Sequence, residues 1–364
     1  MSTTTGMKGG GYYDDHSEYQ RRVAETGAAL IEECVAAVPL PPPDRAFVIV
    51  DYGASTGANS LASVRTAAAA VRARNAAQPV AAVHNDLPTN DWNELFANLA
   101  SRDDSYLTLD GPSVLPIASA ISFFEPAVPA ASAHLGLSFS AAHWLRAQPS
   151  VIVPEGFYFC EAAPDERAAL AAEADADWTA FVAARAADLA AGGRLLVQMV
   201  GTEPQAAPAE PNVTGRTLLR AMADVARDLV AEGTLDAAAV DRYLLPVYAR
   251  TPEEARAPLE RGGSPVAGAF TIETLRTDRV PNPYLDQWRI DGDATAYGKS
   301  YAAFARGFTE SSLREHLFGP GATAPTDGDA LIDGYLGRLA ARFAADPAAD
   351  AFEDWTLTVV LTRR

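Results

Sequence analysis

Hydrophobic and polar positions along the chain form short apolar runs separated by longer segments of helical character. The runs at 47–50 and 80–83 are bounded by polar residues or glycine, which is typical of strands buried on both faces of a parallel sheet. Residues 133–139 and 355–362 alternate apolar and polar side chains and predict two further strands, and 194–200 predicts another. The pattern thus predicts at least five strands.

Helical segments lie between these strands. Apolar spacing predicts one helix over 15–38, ended by a proline-rich linker, and alanine-rich or amphipathic segments predict helices over 61–74 and 92–99. A long helix is expected from 164 to 191, where Gly192 and Gly193 end it. Strands that alternate with helices of this length predict an α/β fold with a mostly parallel central sheet.

The segment from 202 to 325 differs from the rest of the chain. It is richer in proline and glycine, with helices predicted at 217–232 and 301–317 and a strand at 267–275. A last helix is expected at 331–345, before the final strand. We therefore predict a lid, a sheet core and a mainly helical cap. The expected divisions are 1–20 for the lid, 21–153, 164–201 and 326–364 for the core, and 154–163 and 202–325 for the cap.

Composition narrows the possible partners and location. The 29 Lys and Arg residues against 47 Asp and Glu residues give a net charge of -18, which disfavours nucleic acid and anionic lipid surfaces. The start of the chain has no basic-then-apolar pattern, and no apolar run approaches membrane-spanning length. Two cysteines suit a reducing compartment, and the five histidines lack metal-binding spacings. We expect a cytoplasmic protein with no metal.

The first candidate site is the D-Y-G-A-S-T-G turn at 51–57, which directly follows a buried strand. It does not match the G-x-G-x-x-G spacing of dinucleotide-binding turns. Asp51 would repel a pyrophosphate but accepts hydrogen bonds from amino or hydroxyl groups. The turn therefore favours a nucleoside bearing an amino acid, such as S-adenosylmethionine. An ordinary turn with an aspartate near a helix start is the alternative.

Further candidates follow the next strands. Asp86 ends the second strand, where a carboxylate matches the two hydroxyls of a ribose, and Leu87 can pack on adenine. Helix capping is the alternative role for Asp86. Ser122 and Phe123 offer a polar contact and an aromatic platform, or simply core packing. Trp144 has an indole donor suited to a substrate oxygen, with packing as its alternative.

The N-terminal segment carries a glycine run followed by polar residues on a predicted helix. Tyr13, Ser17 and Gln20 recur at a spacing that places them on one helical face. A disordered tail leading into a solvated helix is the alternative.

Taken together, these segments resemble the SABATH family of S-adenosylmethionine-dependent carboxyl methyltransferases, which act on salicylate, benzoate, jasmonate and indole-acetate. The resemblance extends over nearly the whole chain. It rests on M-K-G-G at 7–10, the turn continued to Asn59, N-D-L-P-T-N-D-W-N at 85–93 and S-F-S-A-A-H-W-L at 138–145. The segment at 85–93 is the longest and most specific match to the family motif. The resemblance implies a divergent, bacterial-looking member with a Rossmann-like class I methyltransferase fold and an α-helical cap.

The resemblance also implies roles for individual residues. Those expected to bind S-adenosylmethionine, and its product S-adenosylhomocysteine, are Tyr13, Ser17, Asp51, Gly53, Ser55, Asn59, Asp86, Leu87, Ser122 and Phe123. Gln20 and Trp144 are expected to hold the acceptor carboxylate. Lys8, Ser140 and His143 are expected near the substrate. The implied reaction is in-line esterification of a small, mostly apolar aromatic, indolic or terpenoid acid without a general base, by a homodimer.

Departures from the family pattern leave alternatives open. His16 stands at a usual Asn position and Ser140 at a usual Tyr position, and Leu244 replaces an Asn linked to a proposed structural magnesium, so no metal is expected. The alternatives are N-methylation of a small heterocycle, a nicotinamide-dependent oxidoreductase, and a protein that binds the methyl donor without turnover.

Overall fold

A seven-stranded sheet with strand order β3-β2-β1-β4-β5-β7-β6 forms the centre of the protein. The computed structural model describes residues 12, 16–154, 156–203, 213–323 and 328–364. The strands are β1 Phe47–Tyr52, β2 Val80–Asp86, β3 Leu115–Ala120, β4 Ala133–Phe139, β5 Leu189–Val200, β6 Phe270–Val280 and β7 Asp354–Arg363. Strand β7 runs antiparallel to β5 and β6, and the other pairs are parallel. The predicted α/β class and mostly parallel sheet are confirmed.

Helices cover both faces of the sheet and form a separate layer beside it. They are α1 Glu18–Thr26, α2 Ala28–Ala37, α3 Leu61–Arg74, α4 Trp92–Ser101, α5 Pro164–Asp188, α6 Arg216–Ala231, α7 Ala237–Arg242, α8 Pro252–Glu260, α9 Pro283–Asp291, α10 Ala294–Ser312 and α11 Gly328–Ala345. A π-helical turn, Leu313–Phe318, follows α10. None of the described helices is both long and apolar enough to cross a bilayer.

The register of the central strands places polar side chains at one edge. In the parallel pair β1–β2, Asp51 lies opposite His84, and in the pair β1–β4 it lies opposite Leu137. The earlier residues of β1 and β2 are almost all buried and apolar, which fits strands covered on both faces. The carboxyl ends of three strands therefore meet where the predicted ligand-binding turn begins.

The predicted single helix over 15–38 is wrong, because the chain forms α1 and α2 with Gly27 between them. A Cβ atom at Gly27 would lie 2.7 Å from the Oε1 of Gln198 on β5. The glycine therefore lets the chain approach the sheet closely, and its low helix propensity favours a break there.

Two other boundaries differ from the sequence prediction. Helix α5 ends at Asp188, three residues before the expected end, and β5 begins at Leu189. The Asp188 carboxylate is buried and accepts hydrogen bonds from the Tyr52 hydroxyl and the Ala127 amide, so the chain turns there. The Gly192–Gly193 pair lies inside the strand, where the β4–β5 register shifts.

The sequence prediction missed strand β3, because its residues form neither a continuous apolar run nor a clear alternation of apolar and polar side chains. It contains Pro116, and its side chains are mostly exposed because it lies at the edge of the sheet. An edge strand tolerates proline, since one side of its backbone needs no partner. Its neighbour β2 supplies the pairing, in register from Ala81 to Asp86.

The helical layer contains an apolar core of its own, in which Leu219 of α6, Tyr301 of α10 and Leu339 of α11 are buried. Most of this layer comes from the segment predicted as the cap. Strand β6 is an exception, because it pairs with β7 in the sheet although 202–325 was assigned wholly to the cap. Helix α11 also packs in the helical layer, although 326–364 was assigned to the core. The division into lid, core and cap otherwise stays a prediction.

Candidate active site

A cavity lies at the carboxyl ends of β1, β2 and β4, and we call it the sheet-edge cavity. It encloses about 1020 Å³ of space, its opening to solvent included. Its lining includes most residues predicted to bind the methyl donor: Asp51, Gly53, Ser55, Asn59, Asp86, Leu87, Ser122 and Phe123. Separate segments of the sequence therefore meet around one cavity.

The turn after β1 is held against the end of β2. Gly53 has a φ of +84° and Ser55 a φ of +50°, both in the left-handed region. The Ser55 amide donates to Asp86 Oδ2 at 2.7 Å, and the Asn90 side chain donates to the Ser55 carbonyl at 2.7 Å. Because a Cβ on Gly53 would lie 2.3 Å from the Cβ of Ala141, only glycine fits this approach.

Asp86 presents a half-buried carboxylate to the sheet-edge cavity. Its oxygens accept hydrogen bonds from the Ser55 and Leu87 amides. The pKa of this carboxyl is raised to about 6, mainly because desolvation disfavours the charged form; the two amides partly offset this effect, and the nearby Asp51 adds to it. The predicted alternative role in capping α4 falls to Asp91, whose side chain accepts from the Glu94 amide.

Asp51 belongs to a buried chain of hydrogen bonds that sequence analysis missed. Its Oδ2 accepts from the Ser60 hydroxyl at 2.6 Å and lies 3.1 Å from His84 Nδ1. The other ring nitrogen of His84 lies 3.0 Å from the Tyr106 hydroxyl. All bonds are satisfied when Nδ1–H donates to Asp51 and Nε2 accepts from Tyr106. A histidine within the otherwise apolar β2 run was the available signal.

A second cavity lies between the sheet edge and the helical layer, and we call it the cap cavity. It encloses about 670 Å³, its opening included. Its walls are mainly apolar and come from α1, α6, α10 and the loops around them. They include Tyr19, Val23, Leu218, Leu219, Leu245, Val247, Phe304, Phe308 and Phe352. This lining suits the apolar body of a small molecule.

Gln20, Ser140 and Trp144 line both cavities. The Oε1 of Gln20 is buried with no partner among the described residues. The indole N–H of Trp144 likewise makes no hydrogen bond to that part of the chain. Ser140 adopts a left-handed φ of +51°, and its amide donates to the Gln198 carbonyl. Neutral polar groups therefore stand where the two cavities meet.

The remaining predicted residues are placed differently. Ser17 lines neither cavity, but its hydroxyl pairs with the Asn59 side chain, which lines the sheet-edge cavity. His143 lines the cap cavity, and its Nδ1 accepts from the Val200 amide at 3.4 Å. Burial lowers the pKa of His143 to about 3, so the ring is neutral. Lys8 and Tyr13 lie outside the described residues.

No group of three or more His, Cys, Asp or Glu side chains in the described ranges is arranged to hold a metal ion. The absence of a metal requirement stays a prediction. It rests on Leu244, which replaces the Asn of the family pattern, and on the spacing of the histidines.

Comparison with known proteins agrees with this geometry. The chain is 25% identical to gibberellic acid methyltransferase 2 from Arabidopsis thaliana over 307 residues, covering 79% of this chain and 77% of that protein. It is 26% identical to indole-3-acetate O-methyltransferase 1 from the same plant, covering 86% and 84%. A loganic acid methyltransferase solved with S-adenosylhomocysteine matches the fold with a TM-score of 0.80 at 21% identity, covering 98% of both chains.

A match to a protein family also extends over nearly the whole chain. Residues 2–364 match the family described as SAM-dependent carboxyl methyltransferase. This confirms the SABATH resemblance, the Rossmann-like methyltransferase fold and the use of S-adenosylmethionine. The protein is a member of the S-adenosylmethionine-dependent carboxyl methyltransferase family.

Proposed function

We propose that this enzyme converts the carboxylate of a small acid with a mostly apolar body to its methyl ester. The observation that carries the proposal is that Gln20, Ser140 and Trp144 line both cavities. One cavity presents carboxylates and glycine turns suited to a nucleoside, and the other is mainly apolar. Methyl transfer requires the donor's methyl group and the acceptor's carboxylate to come into contact. We place this contact beside these three residues, because they line both cavities.

The residues of the sheet-edge cavity fit the methyl donor. The half-buried Asp86 carboxylate suits a ribose diol, and Leu87 and Phe123 offer apolar surfaces for adenine. Asp51 can accept from the donor's amino group. The glycine at position 53 lets the turn pack closely against Ala141 in the cavity wall. When bound, S-adenosylmethionine supplies an electrophilic methyl group.

Gln20 and Trp144 are proposed to hold the acceptor carboxylate. A carboxylic acid with an ordinary pKa near 4 is ionised at neutral pH, so no general base is needed. Neutral donors bind one oxygen without the strong ion pair that would lower the nucleophilicity of the other. Positioning of this kind can account for roughly 7–11 kcal/mol of barrier reduction. His143 is neutral and its Nδ1 is used by the Val200 amide, so it supplies no charge.

The test uses methyl-labelled S-adenosylmethionine and a panel of aromatic, indolic and terpenoid acids. The primary amide of each acid serves as a matched control, because it keeps the shape and removes the carboxylate. Methyl esters of acids, with no product from the amides, are expected. Methylation of an amine or purine while every acid is inert would overturn the proposal. Donor binding without any product would indicate a binding protein.

We also infer a cytoplasmic homodimer that does not bind nucleic acid. The net charge of -18 argues against nucleic acid. Free, buried Cys34 and Cys160 are compatible with a reducing compartment. Light scattering on the purified protein tests the dimer, and a mass of 38.4 kDa, that of one chain, would contradict it. Cell fractionation tests the location.

A further inference from the structure

Asp354 places a carboxylate in the wall of the mainly apolar cap cavity. It is the first residue of β7, and 7% of its surface is exposed. Its Oδ1 accepts from the Thr356 hydroxyl at 2.8 Å, whereas its Oδ2 makes no hydrogen bond to any described residue. Burial raises the pKa of this carboxyl from its usual range to about 7. One oxygen of a buried acid is therefore left for a ligand.

Tyr158 stands beside the same cavity with a similar unused group. The side chain is buried, and its hydroxyl makes no hydrogen bond within the described ranges. Asp354 and Tyr158 are close enough to interact electrostatically, and burial keeps the pKa of the phenol well above its usual value. The pair thus combines a neutral hydroxyl with a carboxyl oxygen.

The other polar groups of the cap cavity either make hydrogen bonds within the protein or lie at the junction with the sheet-edge cavity. The Thr214 hydroxyl accepts from the Trp355 amide at 2.8 Å, and His143 accepts from Val200. Gln20, Ser140 and Trp144 lie at the junction with the sheet-edge cavity, and Gln20 and Trp144 are assigned to the acceptor carboxylate. Asp354 and Tyr158 are therefore the polar pair left to contact the acceptor's body.

A wholly apolar acid would be a poor ligand for this cavity. It would displace water from Asp354 and leave a buried carboxyl oxygen without a partner, which costs free energy. An acceptor with a hydroxyl or N–H group on its body would replace that water with a direct hydrogen bond. The acceptor's own carboxylate is unsuited to this place, because it would meet a like charge whenever Asp354 is ionised.

We propose that Asp354 and Tyr158 bind a hydroxyl or N–H group of the acceptor, remote from its reacting carboxylate. The preferred substrates are then acids with an apolar body that carries one hydrogen-bond donor. This inference rests on the proposed carboxyl methylation and narrows its substrate class. Asp354 acts here in substrate selection and has no part in the transfer itself.

The test compares kcat/KM for matched pairs of acids that differ in the donor group alone. Suitable pairs are 4-hydroxyphenylacetate with phenylacetate and indole-3-acetate with 1-methylindole-3-acetate. In wild-type enzyme we expect a preference of at least about tenfold for the donor-bearing member of one or both pairs, mostly in KM. Asp354→Leu should remove the preference, and Asp354→Asn, which keeps a carbonyl oxygen, should retain part of it.

Glu353→Gln is the matched control, because it removes the neighbouring negative charge from an exposed side chain that does not line the cavity. Its preference should equal that of wild type. Equal use of both members by wild type, or a preference that survives in Asp354→Leu, would overturn the inference while leaving carboxyl methylation intact. If no acid is esterified at all, the proposed function fails, and this inference fails with it.

Discussion

The Nδ1 of His84 lies 3.1 Å from the Oδ2 of Asp51, and neither side chain reaches bulk solvent. The same carboxylate oxygen accepts from Ser60, and the far side of the imidazole meets Tyr106. These hydrogen bonds hold the buried Asp51 in one orientation at the wall of the sheet-edge cavity. Ser60 also lines this cavity, whereas His84 and Tyr106 do not. We infer that His84 is a positioning residue for Asp51.

Replacing His84 should therefore weaken donor binding. His84→Leu removes the hydrogen bond to Asp51 and leaves a buried carboxylate oxygen less well satisfied, which typically costs about 1–3 kcal/mol. We expect the Kd for S-adenosylhomocysteine, measured by calorimetry, to rise about 5- to 100-fold. Tyr106→Phe removes only the more distant bond and should have a smaller effect. An unchanged Kd in His84→Leu, with the fold intact, would refute the positioning role.

Donor affinity should depend on pH through Asp86. Burial raises the pKa of its carboxyl to about 6, so the group is ionised at pH 7.5 and mostly protonated at pH 5. The proposed ribose contact needs the ionised form, which accepts hydrogen bonds with both oxygens. Affinity should therefore be full above about pH 7 and fall, by up to tenfold per unit, as the pH drops below 6.

Titration calorimetry from pH 7.5 to pH 5 measures this dependence. Asp86→Asn is the control, since it cannot ionise: its binding should be weak and nearly flat across the same range. A wild-type Kd that does not change over this range would contradict the assignment of Asp86 to the donor.

Gly53 should not tolerate a side chain. Gly53→Ala adds the strain of a left-handed φ of +84°, about 1–2 kcal/mol, and a Cβ that would lie 2.3 Å from the Cβ of Ala141. Gly233→Ala is a matched control, because its φ is +74° and nothing lies within 4 Å of the added Cβ. Chemical denaturation should show a larger stability loss at position 53, by about 1–3 kcal/mol. Equal losses would mean that the turn can move away from Ala141.

Much of the candidate site follows from the sequence because its residues lie in short segments at strand ends. Asp51 and Asp86 follow apolar runs whose pattern predicts strands. Because parallel strands have their carboxyl ends at the same edge of the sheet, both side chains are expected there. The glycine turn between Asp51 and Asn59 is likewise local. Local pattern and sheet topology together are enough to place these side chains around one cavity.

Other features depend on contacts between distant segments and carry no local signal. Asp354 begins a strand whose pattern is visible, but its place in the cap cavity depends on β7 meeting helices from the middle of the chain. The bond between His84 and Tyr106 depends on the packing of the turn at 106–108, which follows α4, against the sheet. The break at Gly27 depends on Gln198, which lies far along the chain.

The central claim is that Gln20 and Trp144 hold an acceptor carboxylate where the two cavities meet. Gln20→Leu and Trp144→Phe remove the N–H donors while keeping most of each side chain's volume. The direct measurement is the rate of methyl ester formation, set beside the Kd for S-adenosylhomocysteine in the same variants. The account predicts at least a tenfold lower kcat/KM for each variant, with donor Kd within about twofold of wild type. Undiminished esterification, or a loss of donor binding equal to the loss of rate, would contradict it.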